Sequence, residues 1–131
     1  MNIALVDDQH SDLRDAKTFL TNYLAENFAE VVASVKIKTF SNPEDFSRVF
    51  KPESFEFIIL DIFMKPFNGI QVAQSVRNQD RDVSIIFLTA SDDFIFKGYK
   101  VFAVGYFLKP LSEKNATSCK FICRTNNFLS I

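Results

Sequence analysis

Glycine is scarce in this chain. Gly69, Gly98 and Gly105 are the only three among 131 residues, and none belongs to a loop of the kind that wraps a nucleotide's phosphates. Cysteine is rarer still. Cys119 and Cys123 have no histidine near them in sequence, so they are too few for a zinc site. Free thiols in a reducing, cytoplasmic setting are the simpler expectation. No stretch of about 18 apolar residues occurs, which excludes a membrane-spanning helix. Asp7 and Asp8 follow the first apolar residues so closely that a signal peptide is not expected. Charge of one sign is missing too. Fifteen Lys and Arg against 16 Asp and Glu give a net charge of −1 with no long basic run. That argues against a large nucleic-acid footprint, so no direct nucleic-acid binding is expected.

What is present is apolar. Hydrophobic residues make up 47% of the chain, 16 of them Phe, which reads as core filling. The length suits one domain with a core that needs no disulfides. Apolar runs alternate with amphipathic stretches. Residues 2–6 read as a buried strand, and Leu13, Ala16, Leu20, Tyr23, Leu24 and Phe28 recur at helical spacing over about 11–28. Residues 31–40 are rich in β-branched side chains and read as a half-buried strand, with Lys36 and Lys38 on the solvent face of an edge. Ser41 or Asn42 caps a short helix with Pro43 in its first turn. Residues 56–60 form a third strand, followed by a helix from Asn68 and Gly69 to about Asn78. Residues 83–88 form a fourth strand, Ser91 to Tyr99 a short helix, and residues 103–108 a fifth strand. A last helix starts near Ser112. Five strand-then-helix repeats imply an α/β domain, a mostly parallel sheet with helices on both faces.

The polar residues fall where such a sheet keeps its ligands. Asp7 and Asp8 follow the first strand, Asp61 the third, Thr89 the fourth and Lys109 the fifth. Open α/β sheets bind ligands beyond the carboxyl ends of their strands, so these five residues converge on one edge. Three carboxylates in one pocket repel each other, and a hard divalent cation such as Mg²⁺, which prefers oxygen ligands, offsets that. With the Lys109 ammonium and the Thr89 hydroxyl they make a cage for a phosphoryl group, and a carboxylate can itself be the nucleophile. Each residue alone has a plainer reading: Asp7 and Asp8 as helix caps, Thr89 as a turn residue, Lys109 as a solvated charge, Tyr106 as a core aromatic. His10 reads as a surface residue at a helix start and Met64 as packing. Only the joint placement favours a site.

Four segments taken together, Leu5-Val6-Asp7-Asp8, Ile59-Leu60-Asp61-Ile62 with Gly69 downstream, Leu88-Thr89-Ala90 and Tyr106-Phe107-Leu108-Lys109-Pro110, resemble the receiver domain of two-component response regulators. The resemblance spans residues 2–111. It implies a single doubly wound (βα)5 domain whose five parallel strands run in the order 2-1-3-4-5. It implies a phosphorylation switch, not an enzyme, with Asp61 as phosphoacceptor and Mg²⁺ as cofactor. Asp8, Asp61 and the Phe63 backbone carbonyl would ligate the metal, with Asp7 acting through water. Thr89 and Lys109 would contact the phosphoryl oxygens, and Tyr106 matches the aromatic that turns inward with Thr89. A cis bond is implied at Lys109-Pro110. Implied partners are a sensor histidine kinase and a second copy docked through the fourth helix, fifth strand and fifth helix. The apolar ring of Phe63, two residues past the acceptor, should slow loss of the phosphoryl group.

Residues 96–104 and the run Tyr106–Pro110 resemble more closely the receivers of the LytTR class, in which a DNA-binding domain usually follows. No output domain is expected within residues 1–131, so the chain reads as a stand-alone receiver or as one cut from a longer transcription regulator. Residues 115–131 are polar for a last receiver helix, and a short or frayed end is expected there. A haloacid-dehalogenase-like phosphatase would share the acids and the metal, but would carry a second Asp where Phe63 stands. A receiver that no longer takes phosphate and binds a partner constitutively is the third alternative.

Overall fold

Alternation along β1 (Asn2–Val6) divides the molecule into two cores. Ile3 and Leu5 face one side of the sheet, and Ala4 and Val6 face the other. The computed structural model describes residues 1–90 and 101–109, and of Thr89 the backbone alone. Against the first face lies α1 (His10–Asn27), which buries Leu13, Ala16, Leu20, Tyr23 and Leu24. Against the second lie α2 (Pro43–Val49) and α3 (Gly69–Gln79), which bring in Phe46, Ile70, Val72, Ala73 and Val76. The remaining strands are β2 (Lys36–Phe40), β3 (Phe57–Leu60), β4 (Ser84–Thr89) and β5 (Gly105–Leu108). All pairings are parallel and the order is β2-β1-β3-β4-β5, the doubly wound arrangement that the sequence implied. Covered on both faces, β1, β3 and β4 are apolar almost throughout, as central parallel strands must be.

Local chemistry sets the helix starts. Asn42 accepts the Asp45 amide at 2.8 Å and Pro43 takes the first turn, where a missing N–H costs nothing. Asn68 and Gln71 form a reciprocal capping box, both bonds 2.9 Å, at the start of α3.

The strand expected over residues 31–40 is shorter than its composition implied. The Val31 and Val32 amides both bond the Phe28 carbonyl, each at 3.0 Å, and finish α1 instead of joining a ladder. A single 3₁₀ turn follows at Val32–Ser34, and β2 begins only at Lys36. Val31, Val32 and Val35 still pack against the α1 core, so their β-branched character reports burial and not strand. Lys36 and Lys38 are exposed on this edge strand, as expected, and His10 is exposed at the start of α1. Met64 is buried. The helices expected after Ser91 and Ser112, the cis bond expected at Pro110, and residues 115–131 lie outside the described residues. A cis peptide is present at Lys65-Pro66.

Candidate functional site

The ladder runs one residue past β1 and β3. The Asp7 amide bonds the Phe40 carbonyl at 3.1 Å and the Asp61 amide bonds the Val6 carbonyl at 2.9 Å. Both acids are therefore fixed by backbone at the carboxyl edge of the sheet, where β1 separates β2 from β3 and the strand order reverses. Asp7 and Asp61 are each only 4% exposed. Asp7 Oδ1 accepts the Gln9 amide at 3.0 Å, which turns the chain into α1. Asp61 Oδ1 has one long contact, the Phe63 amide at 3.4 Å.

Carboxylate oxygens of Asp7, Asp8 and Asp61 lie within 4.8 Å of one another. Lys109, the residue after β5, brings its ammonium to 2.6 Å from Asp7 Oδ2, 2.9 Å from Asp12 Oδ2 and 3.5 Å from Asp61 Oδ2. Four of the five expected residues thus meet. The fifth, Thr89, is the last residue of β4 and pairs with Leu108, but its side chain lies outside the described residues. Tyr106 sits within β5, opposite Phe87, half-buried against the core under α2 and α3. Phe63 is 47% exposed beside the acids.

Burial, then the charge of Asp7, pushes the Asp61 carboxyl up to about 7, against the pull of Lys109. Burial also works against the Lys109 ammonium. Its close pairing with Asp7 and Asp12 and the charge of Asp61 outweigh that and hold its pKa above the usual lysine value. Among the described residues these groups form an anionic pocket with one cation, short of positive charge.

A response regulator receiver domain model matches residues 3–118. This chain belongs to that family. The receiver is 36% identical over 75 residues to the sensory transduction protein LytT of Oceanobacillus iheyensis, covering 56% of this chain and 30% of the relative. It is 30% identical over 115 residues to the probable transcriptional regulator ycf27 of Cyanidium caldarium, covering 86% and 42%. Among solved structures, response regulator protein TrrA of Thermotoga maritima, in complex with Mg(2+)-BeF, is 25% identical with a TM-score of 0.60, covering 94% of this chain and 96% of that one. The receiver spans less than half the length of these curated relatives.

The donor set suits a hard divalent cation. It is all oxygen, it is net negative, and Asp8 Oδ1 is buried with no hydrogen-bond partner among the described residues. In a folded protein such an orphaned oxygen calls for a partner, an ordered water or an ion.

Two participants were not assigned a role from sequence. Asp12 reaches Lys109 across 97 positions of chain. Its signal was its place in the first turn of the helix that leaves the site, the end that faces the sheet's carboxyl edge. Gly69 was noted only as a landmark. A Cβ there would stand 2.2 Å from the Asp61 carbonyl oxygen, and the Gly69 amide bonds the Ile62 carbonyl at 2.8 Å. The start of α3 therefore presses directly on the Asp61 backbone.

Proposed function

We propose that this receiver takes a phosphoryl group on Asp61, with Mg²⁺ bound beside it, from a sensor histidine kinase or a small phosphoramidate or acyl phosphate. The observation that carries this is the meeting of Asp7, Asp8 and Asp61 within 4.8 Å around the Lys109 ammonium. Asp8, Asp61 and the Phe63 carbonyl would hold the metal, with Asp7 reaching it through water. When bound, the cation neutralises the oxygens of the transferring group. An Asp61 carboxylate oxygen attacks phosphorus in line, the bond to the donor's nitrogen or oxygen breaks, and the leaving atom keeps the electron pair. Lys109 and Thr89 then take the phosphoryl oxygens, and Tyr106 follows Thr89 inward. A neutral hydrogen bond contributes roughly 0.5–1.5 kcal/mol and a charge-assisted one roughly 1.5–3. Together they favour the switched state by on the order of 2–4 kcal/mol, about 30- to 1,000-fold.

The changed surface is the face built around β5, with a homodimer or another partner as reader. The exposed Val104 and Leu108 side chains there support this. The relative ycf27, named a probable transcriptional regulator, supports transcriptional output for a longer protein carrying this receiver. A cytoplasmic setting follows from a kinase donor, and no helix among the described residues is long and apolar enough to cross a membrane.

Intact mass after incubation with phosphoramidate and Mg²⁺ tests the reading, with Asp61→Asn alongside. A gain of one phosphoryl group that requires metal and is absent from the variant supports it. A folded protein that binds Mg²⁺ yet gains nothing from phosphoramidate or from a kinase overturns it in favour of constitutive partner binding.

A further inference from the structure

Lys109 has three N–H donors, no acceptor, and three carboxylates around it. The contacts are unequal. Asp12 Oδ2 accepts a hydrogen bond at 2.9 Å, Asp7 Oδ2 makes an ion-pair contact at 2.6 Å, and Asp61 at 3.5 Å lies beyond charge-assisted hydrogen-bond range. The ammonium is therefore drawn to the α1 side of the pocket, away from the acceptor. Asp7 and Asp61 are almost fully enclosed, whereas the Asp12 side chain is 42% exposed to solvent. An acid in the first turn of a helix is favoured by the helix dipole without any distant partner. Here the Asp12 side chain nonetheless reaches Lys109 directly.

We infer that Asp12 is a positioning residue. By pairing with Lys109 it holds the ammonium off Asp61, leaving that carboxylate free for the metal and then for attack on phosphorus. This rests on the reading of the site as a Mg²⁺-dependent phosphoacceptor. Without the Asp12 charge, Lys109 settles on Asp61 and competes with the cation for it. The loss of one negative charge weakens cation binding in the same direction, so the sign of the effect is fixed. Its route is what has to be separated.

The test is calorimetric titration of the full chain with MgCl₂ near pH 7.5, using wild type, Asp12→Asn, Asp12→Glu, Lys109→Gln and the Asp12→Asn/Lys109→Gln double variant. Circular dichroism confirms that each is folded. Removing a partly exposed ion pair should weaken Mg²⁺ binding by about two- to fivefold in Asp12→Asn. Asp12→Glu, which keeps the charge, should restore most of the affinity. In the Lys109→Gln background, where no ammonium is left to position, Asp12→Asn should change the affinity little. The same weakening in both backgrounds would mean that Asp12 acts only as a nearby charge, and would overturn the inference. So would an Asp12→Asn affinity equal to that of wild type. A folded wild type that takes up no Mg²⁺ overturns the reading of the site itself, and the inference with it.

Discussion

Asp61 occupies a place that resists its own charge. Buried, beside Asp7 and paired only loosely with Lys109, its carboxyl is pushed up to about 7 from an ordinary value of 3.8. Between about pH 4 and pH 7 the folded protein thus holds a proton that the unfolded chain has released. Stability from this group is complete below about pH 4 and is lost as pH rises through about 7. Asp80 is shifted the other way: burial raises it, but the amides of Glu53, Asp82 and Val83 outweigh that, so its contribution is lost only on acidification below about pH 4. In EDTA the urea midpoint should therefore fall between pH 5 and pH 8. Asp61→Asn should flatten that fall and leave the metal-free variant more stable than wild type at pH 8, by on the order of 2 kcal/mol. A variant less stable than wild type at pH 8 would show that the Lys109 pairing outweighs burial. Phe63 gives a second prediction. Its ring is 47% exposed, and on the reading of Asp61 as phosphoacceptor it should screen a phosphoryl group there from water. Phe63→Asn should speed self-dephosphorylation about three- to tenfold, roughly 0.7–1.4 kcal/mol of barrier. Decay of the phosphorylated mass over time measures it, and equal or slower loss contradicts the screening role.

At the scale of elements, what was legible was what repeats. Each apolar run of the central sheet ends on a polar residue, so Asp7, Asp61 and Lys109 were placed at one edge by counting alone. Asp12 was not, because a first-turn acid already has a local explanation in the helix dipole. The valines at 31, 32 and 35 misled, because β-branched composition reports a packed surface while the backbone there is spent on closing α1. Gly69 was visible as a letter and not as a contact, since closeness between the start of α3 and the end of β3 is a property of packing. Its consequence is testable. Gly69→Ala would place a methyl group 2.2 Å from the Asp61 carbonyl, and backbone must move to admit it. A cost of about 1–3 kcal/mol is expected, the range for overpacking a filled interior. Mg²⁺ affinity should fall with it, because the atom that yields belongs to Asp61, one of the proposed ligands. Chemical denaturation and calorimetry together check this. Lost stability with unchanged affinity would mean that α3 gives way and Asp61 does not.

At the scale of the whole molecule, the site is a point where two cores and three strands are tied together. Asp8 opens the connection from β1 into α1, and Asp61 opens the one from β3 into α3. These two helices cover opposite faces of the sheet. A cation held by both acids would link elements on opposite faces of the sheet, and would relieve the repulsion by Asp7 that adds to burial in raising Asp61. Its effect should therefore appear in global unfolding. A ligand at 100 times its dissociation constant adds about 2.7 kcal/mol to a protein whose unfolded chain does not bind it. For a domain of this size that corresponds to a rise in Tm of roughly 10 °C. Thermal melts near pH 7.5 should show this rise with Mg²⁺ over EDTA. Asp8→Asn, which replaces the orphaned carboxylate by a neutral amide, should abolish most of it while melting in EDTA close to wild type. A shift of equal size in that variant would place the cation elsewhere on the molecule. No shift in wild type at concentrations that saturate a calorimetric titration would mean that the unfolded chain takes up the cation as well as the folded one does, and would overturn the account of the cation as a tie between the two cores.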